Sequence, residues 1–237
     1  MRFLWVVTFS LVAGSAVLPA HESTARSHDI ANFFSGSEQP LHEYRAFRRM
    51  HAAGEGGKHE AWLEAWTELK DGRFSYHIVS EKGSDVARGK VLRPMLAREQ
   101  ELVNSGDGSK SDLTPDNYEF TEGGRDGDGA RVVQIKPRRQ DVLLVDGRAV
   151  LNDFGDLMRI EGKLSKNPSF WTSLVNIVRR YARIGGVRVP VATETTAKVK
   201  FIGSAQLEVL YDYRSVNGQP VAVSEVRPAM PAHIAGR

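Results

Sequence analysis

The chain contains no cysteine. Disulfides are therefore excluded, and so is an N-terminal lipid anchor, which needs a cysteine thiol. A strong charge bias is missing as well. Thirty-two Lys and Arg against 29 Asp and Glu leave a formal charge of +3. That balance does not argue for nucleic acid. The sequence pI near 9.2 keeps an anionic membrane surface as a candidate partner.

Catalytic signatures are absent. There is no G-x-S-x-G elbow, Walker A loop or dinucleotide fingerprint. The stretch HEAWL begins like a zinc motif but has Leu63 where the second histidine belongs. DGDG at 126–129 resembles the start of a calcium loop, but Pro137 stands where the loop's final acid is needed. No metal and no cofactor is expected, and no enzyme activity.

One long apolar run is present, at the N-terminus. Arg2 precedes Phe3–Leu18, and Pro19-Ala20 leads into the polar HESTARSHD. This is the layout of a secretory leader over residues 1–20. The run is shorter than the roughly 20 residues a bilayer span needs. No later segment is apolar enough to span, so an exported protein without a lipid anchor is expected.

Of the 237 residues, 41% are hydrophobic and 26% charged, which suits a globular chain. A short helix is expected at 28–39, then a strand from HEYRAFRRMHAAG. KHEAWLEAWTELK fits two periods. Trp62, Trp66 and Leu69 have helical spacing, whereas Ala61, Leu63, Ala65, Thr67 and Leu69 also form one face of a strand. Asp71-Gly72 followed by RFSYHIVSE favours a hairpin. SDVARGKVLRPMLAREQELV is the main helix, with Ser84 as N-cap and Pro94 expected to kink or split it. The remainder reads as an antiparallel meander of short strands. Asp146-Gly147, Gly185-Gly186 and Asn217-Gly218 are expected turns, and Pro190 points to an edge or a bulge.

The expected architecture is mainly β (α+β): eight to eleven antiparallel strands forming an unclosed barrel. One main helix and the short N-terminal helix pack at its concave side. A single domain is expected over 28–223, with a disordered tail over 224–237. So many strands curl rather than stay flat.

In LSKNPSFWTS, Pro168 and Ser169 turn the chain into Phe170 and Trp171. Adjacent residues of an extended chain face opposite ways, so one can pack while the other faces a cavity. Trp62, Trp66 and Tyr76 are similar candidates, and Val91, Leu92 and Leu96 form the helix face that closes the cavity. Ordinary packing is the alternative for each. The basic runs KPRR (136–139) and VRRYAR (178–183) are either solvated faces or a patch for anionic head groups.

The stretches EAWLEAWTEL, GRFSYHIVSEKGSD, KVLRPMLAREQE, PRRQDVLLVDGRAVL, GDLMRIEGKLSKNPSFWTS and VRRYARIGGVRVPVATETTAKV resemble a group of uncharacterised bacterial exported proteins. That group is similar in architecture to the LolA/LolB-like outer-membrane lipoprotein carriers. The resemblance implies a periplasmic, monomeric half-barrel binding a lipid or lipoprotein acyl chain, with no catalytic residue and no nucleic acid. An envelope protein–protein interaction module is the alternative.

Overall fold

The structure is a computed structural model and describes residues 39–168, 170, 172–200 and 203–222. The leader, the expected helix at 28–39 except Gln39, Trp171 and the tail lie outside the described residues.

Eleven strands form one antiparallel sheet. In chain order they are β1 (Tyr44–Gly54), β2 (Ala61–Lys70), β3 (Arg73–Gly83), β4 (Tyr118–Arg125), β5 (Arg131–Pro137), β6 (Val145–Leu151), β7 (Leu157–Leu164), β8 (Thr172–Ile184), β9 (Val187–Val199), β10 (Gly203–Val216) and the short β11 (Gln219–Pro220). Their order in the sheet is β3-β2-β1-β10-β9-β8-β7-β6-β5-β4, with β11 on β10. The edges β3 and β4 do not pair, so the sheet is an unclosed half-barrel.

The period-two reading of residues 61–69 is the correct one. Ala61, Leu63, Ala65 and Thr67 are buried, while Trp62, Glu64 and Trp66 lie on the other face. Asp71 and Gly72 both have positive φ, as a two-residue hairpin turn requires. Gly185-Gly186 and Asn217-Gly218 repeat that geometry.

Asp146-Gly147 does not form the expected turn. Both residues lie inside β6, where Gly147 pairs with Gly162 of β7. A Cβ on Gly147 would come within 2.1 Å of the Glu161 carbonyl oxygen. The glycine serves a close backbone approach, and the connection lies at 152–156 instead. There Asn152 Oδ1 accepts from the N–H groups of Phe154 and Asp156. Pro190 sits in an interior strand, opposite a bulge where the β8–β9 register shifts between Arg180 and Tyr181.

The helix runs over residues 85–104 in three pieces: Asp85–Ala87, a π-helical turn Arg88–Leu92, and Arg93–Asn104. Ser84 caps it by accepting from the Ala87 N–H. Pro94 falls in the first turn of the last piece, where its missing N–H costs nothing. The π-turn adds one residue to the repeat, so Ala87, Leu92 and Leu96 are buried whereas Val91 is 39% exposed. The helix lies along β3. Arg93 pairs with Glu81 near one end, and at the other Asn104 bonds both the N–H and the C=O of Phe74. The edge strand is thereby partly satisfied by the helix.

Two apolar clusters share the inner face. The first joins Leu63, Phe74, Leu92, Leu96, Val189 and Val209 under the helix. The second joins Tyr118, Phe120, Val133, Ile135, Leu151 and Ile160 on β4–β7. Each fully buried aliphatic or aromatic side chain contributes roughly 1.5–3 kcal/mol, so no disulfide is required.

Candidate functional site

Cross-strand register places the candidate site between the two clusters. One inward row runs Ile160–Arg179–Thr193–Val209–Met50–Leu63. The next row towards the Gly54 end of β1 contains Ile177, Thr195 and Leu207, all partly buried. On the other side, Arg48 of β1 stands between Ala65 and Tyr211. The two apolar ends of the inner face are thus separated by a strip on β8–β10 that carries Arg, Thr and Tyr among aliphatic residues.

Arg48 is held tightly. It is 3% exposed. Its two terminal nitrogens donate to Glu99 of the helix at 2.5 and 2.8 Å, and one also donates to the Tyr44 hydroxyl at 2.8 Å. The guanidinium lies 5.1 Å from the Phe74 ring and 4.7 Å from the Tyr211 ring. A buried charge needs such a partner and such donors and acceptors to be tolerated. Burial pushes the Tyr44 phenol up to about 12, against the lowering effect of the Arg48 charge. Burial also holds the Tyr213 phenol well above its ordinary value, and its hydroxyl donates to the Pro190 carbonyl.

Arg179 is differently placed. It faces the same interior from β8, partly buried, and has no carboxylate within ion-pair distance among the described residues. Burial alone would lower its pKa, but Tyr181, Tyr211 and Glu99 nearby raise it on balance. The guanidinium is therefore a fixed cation. Thr193, opposite it on β9, is 7% exposed, and its hydroxyl has no hydrogen-bond partner among the described residues.

The residues expected to line a cavity fall into three groups. Leu92 and Leu96 are buried beneath the helix, and Tyr76 of β3 packs against the same cluster. Trp62 and Trp66 are on the outer face. Trp62 stacks on His51 at 4.9 Å, and Trp66 meets Phe47 edge-on at 5.1 Å. Phe170 is 78% exposed, with the Lys200 ammonium 3.9 Å from its ring centroid. Trp171 lies outside the described residues. A polar notch of roughly 390 Å³, lined by His42, Glu43, Asp71, Gly72 and Asn217, sits at the strand turns, away from the strip.

Solved structures to which the chain is similar include the following three. One is a domain named for outer membrane lipoprotein sorting, from Vibrio parahaemolyticus, with a TM-score of 0.47 and 10% identity, covering 82% of this chain and 93% of that one. The second is a LolA superfamily protein from Nitrosomonas europaea, with a TM-score of 0.39 and 11% identity, covering 89% and 97%. The third is a DUF1329 family protein from Desulfovibrio piger, with a TM-score of 0.33 and 11% identity, covering 79% and 90%. No family model matches the chain, and no curated protein matches it in sequence. Likeness at these scores carries no function, which has to come from the residues themselves.

Sequence reasoning did not single out Arg48, Glu99, Arg179 or Thr193 as site residues. Arg48 had a signal, since it shares a period-two face with Tyr44, Ala46 and Met50. Its partner Glu99 lies 51 positions away and could not be inferred. In VRRYAR, Arg180 pairs with Glu194 and Arg183 with Asp156, so these two are neutralised. In KPRR, Arg138 pairs with Glu119, and Arg139 bonds Asn117 and the Lys110 carbonyl. Among the described residues no group of His, Asp and Glu has the arrangement of a metal site. No described helix is long and apolar enough to cross a membrane.

Proposed function

We propose that this is an exported, non-enzymatic binding protein whose concave face takes up the acyl chain of a lipid or lipoprotein. The supporting observation is the strip on β8–β10. There the inner face of an unclosed sheet carries Ile177, Thr195 and Leu207 only partly covered, Leu207 at the margin of one buried cluster and Ile177 at the margin of the other. A chain laid on that strip gains roughly 0.8 kcal/mol for each methylene it buries. Tyr76 is partly buried beside the first cluster, Leu92 and Leu96 close that cluster from the helix, and Phe170 stands exposed just before β8. In this reading the protein acts in the periplasm as a monomer.

Titration of the full chain with a polarity-sensitive hydrophobic dye tests this. Saturable uptake at one site, reversed by lipid, is expected. A protein that takes up neither dye nor lipid sinks the proposal.

The outer aromatic ladder favours a second reading, an envelope interaction module. Phe47, His51, Trp62 and Trp66 form a half-buried row flanked by Arg45 and Lys82, each with its charge 4.8 Å from an indole. A Trp62→Ala/Trp66→Ala variant that loses an envelope partner but keeps dye uptake would support it.

A further inference from the structure

Cross-strand register gives Arg179 a position that an acyl-binding surface does not need. A strip meant only for methylenes would carry aliphatic side chains there, because a partly buried guanidinium without a carboxylate is costly. Both Glu99 oxygens are taken up by Arg48. Among the described residues of the strip, Arg48 and Glu99 therefore neutralise each other, and the charge of Arg179 has no carboxylate against it. Opposite Arg179 in the register, Thr193 offers a buried hydroxyl with no partner among the described residues. Buried polar groups are ordinarily satisfied, so such a grouping calls for an external acceptor. Tyr181 is hydrogen-bonded to the Arg179 side chain, which leaves other guanidinium N–H groups for a ligand, and Tyr211 lies nearby.

Resting on the acyl-binding reading above, we propose that the ligand is an amphiphile with a singly charged carboxylate head, of the fatty-acid class. The head is received by the Arg179 guanidinium and the Thr193 hydroxyl, and the chain runs along Ile177 and Leu207. A planar guanidinium matches a carboxylate with two parallel hydrogen bonds, and the threonine hydroxyl donates a third. A monoanion matches the one free charge. A doubly charged phosphate head would leave charge unbalanced in a low-dielectric site.

The test compares palmitate, methyl palmitate and hexadecyl phosphate, a phosphate monoester able to carry two charges, as competitors of a fluorescent fatty acid on the full chain. Palmitate is expected to compete better than methyl palmitate by roughly tenfold or more, the range for charge-assisted hydrogen bonds. Arg179→Met should remove that preference while methyl palmitate still competes. Thr193→Val keeps the side-chain volume and should weaken palmitate several-fold, on the order of one hydrogen bond to a charged group. Equal competition by palmitate and its ester, or a preference that survives Arg179→Met, overturns the carboxylate site but leaves acyl binding standing. Stronger competition by hexadecyl phosphate than by palmitate moves the head group to phosphate and also overturns it. If the fluorescent fatty acid itself does not bind and no lipid competes for the dye, the acyl-binding reading fails with it.

Discussion

Replacing Glu99 with alanine should cost about 3 kcal/mol of stability, more than replacing its partner Arg48. The side chains differ in their access to water: that of Arg48 is 4% exposed and that of Glu99 37%. In the Glu99→Ala protein the guanidinium stays enclosed by Tyr44, Phe74 and Tyr211 and loses both carboxylate oxygens. Breaking a buried pair from one side costs about 3–5 kcal/mol, and the partial exposure of Glu99 puts this case at the low end. In Arg48→Met the abandoned carboxylate can turn to solvent, and methionine fills the space of the arginine stem. What is lost is the bond to Tyr44 and the two ring contacts, roughly 1–2 kcal/mol. The double variant Arg48→Met/Glu99→Leu removes both charges and should return to within about 1 kcal/mol of the wild type. Urea unfolding at pH 7 measures all three. With slopes of about 1–3 kcal/mol/M, the Glu99→Ala midpoint should fall by about 1 M or more. An Arg48→Met protein as weak as Glu99→Ala, or a double variant no better than either, would refute the argument from burial.

The raised Tyr44 pKa predicts a loss of stability in alkali. Below pH 10 the phenol is neutral in both folded and unfolded chains. Between pH 10 and about 12 the unfolded chain ionises first, which draws down roughly 2–3 kcal/mol. Urea midpoints of wild type and Tyr44→Phe should therefore converge across that range, and parallel curves would contradict it. Gly147→Ala drives a Cβ into the Glu161 carbonyl and the Gly162 Cα and should cost more than about 2 kcal/mol. Gly89→Ala meets nothing within 4 Å and should be neutral or stabilising by up to about 1 kcal/mol. Thermal unfolding separates the two, and equal behaviour would mean the β6–β7 approach is looser than described. Ser84→Ala removes the helix cap and should cost about 1 kcal/mol by the same assay.

The fold was legible where local chemistry and tertiary demand agree. Asp71-Gly72 needs positive φ at two positions, and the flanking alternation already separates Leu63 from Trp62. Ser84 starts a helix wherever the chain allows it. The alternation of β10 placed Leu207, Val209, Tyr211 and Tyr213 on one face before any partner was known. Legibility failed where a distant strand decides. Asp146-Gly147 has the composition of a turn, but Gly162, fifteen positions on, makes the same glycine a mid-strand contact. Val91 fits an α-helical face, and a single π-turn moves it out. Arg48 sits in an apolar alternation that becomes intelligible only once Glu99 is brought over it. Arg179 lies in a run of basic residues whose neighbours find carboxylates through sheet register, and only that register shows which one is left without a carboxylate.

The most direct measurement is mass spectrometry of the organic extract from protein purified from its own envelope. The account predicts acyl lipid in near-stoichiometric amount, with free fatty acid prominent and depleted in Arg179→Met. Protein that emerges free of lipid, and that takes none up on exposure to envelope extract, contradicts an acyl chain on the strip between the two clusters.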